Sequence, residues 1–250
     1  MTSTRDPRWI VRHRPQQEAC LRLFCLPYAG GSASLYRTWA EALSPEIEVG
    51  AVELPGRGTR QAEPPYTRFA ALVAAVTEVL LPFSDKDMAF YGHSLGGLLA
   101  FEVARALQRH SGKPAMHLIV SGCRAPHLPD DGPDMADVET FLTYLRALGG
   151  TPHEQMVRRR WPLLQADFAL RASYHYESEG PLLACPITAL RGEHDSAANE
   201  SDTAAWREQA QHTFTQETFP GPHFFVHSAQ DVLLQCVKRC LCGTTREGRV

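Results

Sequence analysis

Ser94 stands in Phe90-Tyr91-Gly92-His93-Ser94-Leu95-Gly96-Gly97, a G-x-S-x-G run with a short apolar stretch before it (residues 88–91) and a long one after it (residues 98–107). A serine hydroxyl is a poor nucleophile at neutral pH. It becomes useful when a base within reach takes its proton and a third group orients that base. The run supplies exposure. A strand that turns at once into a helix forces its central residue into a strained conformation, and small residues two positions to either side avoid clashes. Such a turn lifts the Ser94 hydroxyl above the sheet edge. It also places the Leu95 amide in the first helical turn, where N–H groups lack internal partners and favour negative charge. That is half of an oxyanion hole. A glycine-flanked serine can also be only a turn, so its partners decide.

Two partners follow in the order acid, then base. Asp195 lies in Arg191-Gly192-Glu193-His194-Asp195, and His223 in Pro220-Gly221-Pro222-His223-Phe224-Phe225. Each falls in a loop directly after a strand-like run, and Ser–Asp–His is the chain order of α/β-hydrolase enzymes. Of eleven histidines, His223 alone stands between a late strand and the last helix. His93 reads as structural, because an elbow points neighbouring side chains apart. His194 and His227 are reserve bases. Asp167, Glu193 and Asp202 are alternative acids; Asp195 is preferred because its loop follows a strand, whereas Asp167 falls inside a helix. The loop from Pro27 to Ser32 follows the first clear strand, and its small residues let the Ala29 N–H face Ser94 and complete the oxyanion hole with the Leu95 N–H.

The elements that must hold these groups alternate. Strand-like runs at residues 21–26, 47–54, 88–91, 117–121, 186–190 and 216–219 are separated by helical patterns at 34–43, 69–81 and 201–211. A last helix spans 225–241. Short apolar strands alternating with longer helices indicate an α/β fold with a mostly parallel, doubly wound sheet. Between Cys123 and Cys185 the rhythm changes to helices alone, at residues 138–148, 153–157 and 163–176. An insertion of that kind, about residues 125–180, is expected to be a lid over the carboxyl edge of the sheet rather than an extension of its core. Residues 1–17 read as a flexible N-terminal arm, 18–241 as one domain carrying the lid, and 242–250 as a tail.

Composition narrows the class. The chain has 250 residues, 44% hydrophobic and 21% charged, within range for one α/β unit. Its net charge of −3 gives no nucleic-acid surface. No apolar run reaches membrane-span length, and the arginine-bearing N-terminus lacks the apolar core of a secretory signal. Seven cysteines without paired spacing suit a reducing cytoplasm, and those at 236, 240 and 242 lack a second ligand pair, so no metal is expected.

Taken together, Leu26-Pro27-Tyr28-Ala29-Gly30-Gly31-Ser32, Glu53-Leu54-Pro55-Gly56-Arg57-Gly58, the elbow, Ala166-Asp167-Phe168 and Gly221-Pro222-His223-Phe224 resemble the type II (external, editing) thioesterases. These accompany nonribosomal peptide and polyketide synthases. The resemblance covers about residues 20–241; Cys123 departs from it, standing where the family pattern has an arginine. It implies an α/β-hydrolase fold and a serine thioesterase that frees acyl groups from the phosphopantetheine of acyl or peptidyl carrier proteins. It implies no cofactor beyond that carrier-borne arm, and a monomer is the default. Arg158-Arg159-Arg160 is either a docking patch for an acidic carrier or a solvated face. Phe141, Leu142, Leu145, Phe168 and Leu170 either line an acyl pocket or form lid core, and Tyr28 and Phe224 are further candidate substrate contacts. The rivals are a general carboxylesterase or lipase, a medium-chain fatty acyl thioesterase, and a non-catalytic binding protein on the same fold.

Overall fold

A computed structural model describes residues 8–129, 137–151 and 153–243. In chain order its elements are β1 (Ile10–Val11), β2 (Leu21–Leu26), α1 (Arg37–Ala42), β3 (Ile47–Val52), α2 (Phe69–Leu80), β4 (Asp87–His93), α3 (Leu95–Ser111) and β5 (His117–Ser121). There follow α4 (Val138–Ala147), α5 (Glu154–Arg159), α6 (Trp161–Ala172), β6 (Ile187–Gly192), α7 (Glu200–Ala204), β7 (Phe214–Phe219), α8 (Phe225–Ser228) and α9 (Gln230–Gly243). Seven strands form one sheet in the order β1-β3-β2-β4-β5-β6-β7. All neighbours are parallel except β1 with β3.

Every residue of β2, β3 and β5 is buried, as expected for parallel strands covered on both faces. Successive side chains of β2 feed opposite layers. Phe24 and Leu26 pack with Leu72 and Val76 of α2 and with Leu99 and Val103 of α3. Leu23 and Cys25 pack with Trp39 of α1 and with Leu233 and Val237 of α9. Helices α4, α5 and α6 lie between β5 and β6 in sequence. The parallel strands bring their carboxyl ends to one edge, and that edge receives the loops after β2, β4, β5, β6 and β7.

Two expectations are corrected. Within the described residues, the stretch read as a flexible arm, of which residues 1–7 lie outside them, contains a two-residue edge strand: Ile10 pairs with Val52 and Val11 with Ala51. Trp9 is buried there beneath the Arg60 guanidinium, 3.8 Å above its ring. A two-residue strand is too short to show periodicity. The helix expected over 225–241 breaks at Ala229 (φ −117°, ψ 30°) into α8 and α9.

His117 of β5 links three strands: its Nε2 lies 2.8 Å from Thr188 Oγ1, which lies 2.8 Å from Thr215 Oγ1. Burial pushes its pKa from 6.5 down to about 4. Because the folded value is depressed, the associated stability is whole above pH 6.5 and is lost as pH falls toward 4. At about 1.4 kcal/mol per pH unit for one proton, the loss is about 3 kcal/mol. Urea unfolding of the wild type and of His117→Gln at pH 7 and pH 5 checks this. The variant is expected to show the smaller difference between the two pH values, and equal differences would remove His117 as the cause.

Candidate active site

The elbow has the geometry its residues dictate. Ser94, between β4 and α3, has φ 54° and ψ −121°, and is the one non-glycine with positive φ among the described residues. Its N–H donates to the Ser121 carbonyl at 2.8 Å, and its own carbonyl accepts from the Gly97 N–H at 2.8 Å. A methyl group at Gly92 would lie 1.9 Å from the Gly96 oxygen, and one at Gly96 would lie 2.2 Å from the Leu26 oxygen. Only glycine fits either place.

Asp195 and His223 meet across the ends of β6 and β7. The His223 Nδ1–H donates to both carboxylate oxygens, at 2.9 and 3.0 Å, and both residues are buried. Asp195 Oδ1 also accepts from the Ala197 and Ala198 N–H groups at 2.9 and 3.2 Å. The carboxylate is therefore held by its own loop before it holds the imidazole. With the proton on Nδ1, Nε2 carries the free lone pair. Among the described residues no hydrogen bond joins His223 to the Ser94 hydroxyl; such contacts often close only around substrate.

Gly122, one residue past β5, was not singled out in the sequence. It has φ 53°, and a methyl group there would lie 3.3 Å from Asp195 Oδ2, 3.3 Å from His223 Cε1 and 2.8 Å from His93 Cε1. Its signal was the Ser121-Gly122 pair ending a buried strand. His93 is structural, as expected: its ring centroid is 5.0 Å from that of His223, and its Nδ1 is 3.0 Å from Ser121 Oγ. Burial, then the neighbouring His223 and His227, hold it well below the usual histidine range, so it packs as a neutral ring.

The reserve groups take other partners or lie exposed, although His227 and Asp167 also line the cavity that holds Ser94 and His223. His227 Nε2 is 2.8 Å from the Tyr28 hydroxyl. Asp167 binds Arg57, Asp202 sits in the capping box that starts α7, and Glu193 and His194 are exposed.

Ser94, Leu95, Ala29 and His223 face one cavity of about 680 Å³ under the helical insertion, together with Tyr28, Phe141, Phe168 and Phe224. Leu145 also lines it, whereas Leu142 and Leu170 are fully buried and belong to the packing behind. Among the described residues, neither the Ala29 nor the Leu95 N–H has a hydrogen-bond acceptor. All three arginines are exposed, with different surroundings at the two ends of the run. Arg158 pairs with Glu139, while Arg160 lines the cavity.

This constellation sits within residues 21–240, the span that matches the thioesterase domain family. The chain belongs to that family. As a thioester hydrolase it is 38% identical to the gramicidin S biosynthesis protein GrsT of Aneurinibacillus migulanus, over 91% of each chain. The structure of RedJ, a thioesterase from the prodiginine biosynthetic pathway in Streptomyces coelicolor, superimposes with a TM-score of 0.84 at 38% identity, covering 90% of this chain and 87% of that one. BorB, a type II thioesterase from the borrelidin biosynthetic cluster, superimposes with a TM-score of 0.86 at 35% identity, covering 93% and 97%. The thioesterase thus has an α/β-hydrolase fold with a mostly parallel seven-stranded sheet. Among its described residues no helix is long and apolar enough to cross a membrane.

Proposed function

We propose that this thioesterase is an editing enzyme of the type II class. It hydrolyses acyl groups from the phosphopantetheine thiol of acyl or peptidyl carrier proteins and so clears misprimed or stalled polyketide or nonribosomal peptide synthases. The observation that carries the reading is the Asp195–His223 pair beside Ser94 in a cavity where two backbone N–H groups stand unpaired. The biosynthetic settings of GrsT, RedJ and BorB support the carrier-borne substrate.

In this mechanism His223 Nε2 takes the proton of Ser94 as its Oγ attacks the thioester carbonyl. The oxyanion rests on the Ala29 and Leu95 amides, and the loss of one such donor typically costs about two to three orders of magnitude in rate. The carrier thiol leaves, needing little help from a general acid. Water activated by His223 then cleaves the acyl-serine. Asp195 keeps His223 in the tautomer with Nδ1 protonated and offsets its charge. Phe141 and Phe168 border the acyl chain, and Tyr28 and Phe224 flank the reacting carbon. The substrate brings its own phosphopantetheine, so no resident cofactor takes part, and the setting is the cytoplasm.

The test presents one acetyl group two ways, on a carrier protein's phosphopantetheine and on free N-acetylcysteamine, with Ser94→Ala as control. A large preference for the carrier-bound form, lost in Ser94→Ala, is expected. Equal rates on both would remove the carrier from the reading, and no hydrolysis of either would favour a binding protein.

A further inference from the structure

Asp167 of α6 and Arg57 of the turn after β3 are 110 residues apart in sequence and form a bidentate ion pair at 2.9 and 2.7 Å. Both side chains are almost fully buried, Asp167 0% and Arg57 4% exposed. The pair does more than join lid to sheet. Asp167 Oδ2 also accepts from the Gly30 N–H at 2.7 Å, and Arg57 Nη1 donates to the Gly31 carbonyl at 3.3 Å. These contacts fall on the turn that carries Ala29.

That turn is closed by the Gly31 N–H donating to the Tyr28 carbonyl at 2.8 Å. The Tyr28 carbonyl and the Ala29 N–H belong to one planar peptide, so whatever fixes the turn fixes the direction of that N–H. Asp167 holds the next peptide, Ala29–Gly30, through the Gly30 N–H, and Arg57 holds the Gly31–Ser32 peptide through the Gly31 carbonyl, so the two side chains grip the turn on both sides of its closing hydrogen bond. Gly30 has φ 76°, and a methyl group there would lie 2.7 Å from Leu164 Cδ2 of α6. Gly56 has φ 85°, and a methyl group there would lie 3.2 Å from Leu163 Cδ1 of the same helix. Helix α6 therefore rests on two glycine turns and grips both through one carboxylate.

We propose that Asp167 and Arg57 are positioning residues through which lid helix α6 aims the Ala29 N–H into the oxyanion hole, so that a seated lid is part of the catalytic geometry. The inference rests on the oxyanion role assigned to Ala29 above. A buried ion pair that merely staples the lid would matter for stability but not for the transition state, and the two can be separated.

The experiment uses Asp167→Asn, which keeps the size and an acceptor but not the charge, and Arg57→Lys beside Arg57→Gln. Active sites are first counted with a serine-reactive phosphonate. Hydrolysis of acetyl-N-acetylcysteamine and binding of an alkyl boronic acid, a tetrahedral transition-state mimic, are then measured per counted site. Asp167→Asn is expected to lower kcat by about 10- to 100-fold with KM within about threefold, since misaiming one donor costs part of its full value. Boronic acid affinity should fall by a similar factor, and Arg57→Lys should retain more of both than Arg57→Gln. Unchanged kcat and boronate affinity per site, with only the melting temperature lowered, would overturn the inference. Failure of the phosphonate to label Ser94 in the wild type would instead overturn the reading on which it rests.

Discussion

Ser94→Ala, His223→Ala and the double variant are each expected to lose the same factor in kcat, about 10⁵- to 10⁶-fold, because the two side chains act on one proton as a unit. Removing the hydroxyl leaves His223 nothing to deprotonate, and removing the imidazole leaves the hydroxyl at its ordinary acidity. The activity that remains comes from the Ala29 and Leu95 amides acting on bound substrate. Asp195→Asn should cost about 10⁴-fold by favouring the wrong imidazole tautomer. Its fold should survive, because Asp195 Oδ1 is held by the Ala197 and Ala198 N–H groups, which an amide oxygen can still accept. Single-turnover hydrolysis of an acyl-carrier substrate measures all four. A double variant that lost the product of the two single losses would show that Ser94 and His223 work independently, and the proposed mechanism would fall.

Gly92→Ala is expected to be the most damaging single methyl group in the molecule. It would meet the Gly96 carbonyl oxygen at 1.9 Å and the Gly97 nitrogen at 2.6 Å, all backbone on the two arms of the elbow. No side chain can rotate away, so relief requires opening the strand-to-helix turn that β4 and α3 are packed to hold. A cost above about 4 kcal/mol places it in the exceptional tail of single substitutions, with loss of soluble protein or a fall in melting temperature beyond 10 °C as the readout, on the order of 2–4 °C per kcal/mol for a chain of this size. Gly112→Ala is the control. Gly112 has φ 67° at the end of α3 with nothing within 4 Å of an added methyl group, so it carries left-handed strain alone, about 1–2 kcal/mol. If the two variants melted together, the crowding at Gly92 would not govern the elbow.

Both predictions concern residues that were legible in the chain, and the reason is local. An elbow is made by five consecutive residues, and its glycines announce themselves. The order serine, acid, histidine could be read because each stands directly after a strand, and parallel strands deliver all such loops to one edge. The helical insertion was legible as a stretch of helices without strands. Phe141, Phe168, Tyr28 and Phe224 could be named as candidates, whereas Leu142 and Leu170, on the same helices, turned out to be packing. Which face of a lid helix meets the cavity depends on how that helix is rolled, and helical spacing alone leaves the roll open.

Pairings across distance decided the remainder. Edge strand β1 has two residues and no period, so its place against β3 followed from the partner rather than from its own pattern. Gly122 became meaningful only once Asp195 and His223 closed over it. Arg57 and Asp167 each lay in a motif that resembled a family, yet neither motif states that its charge is buried or that the other holds it. The bond between Tyr28 and His227 joins the ends of β2 and α8 across 199 positions. The amino-acid sequence by itself determined the strained turn at Ser94, the order of the catalytic candidates and the α/β architecture, because local backbone strain and strand-to-helix alternation are written in neighbouring residues. The tertiary structure alone decided which acid meets which histidine and what holds the turn at Ala29, because ion pairs and shared cavities depend on distances in space that separation along the chain does not encode.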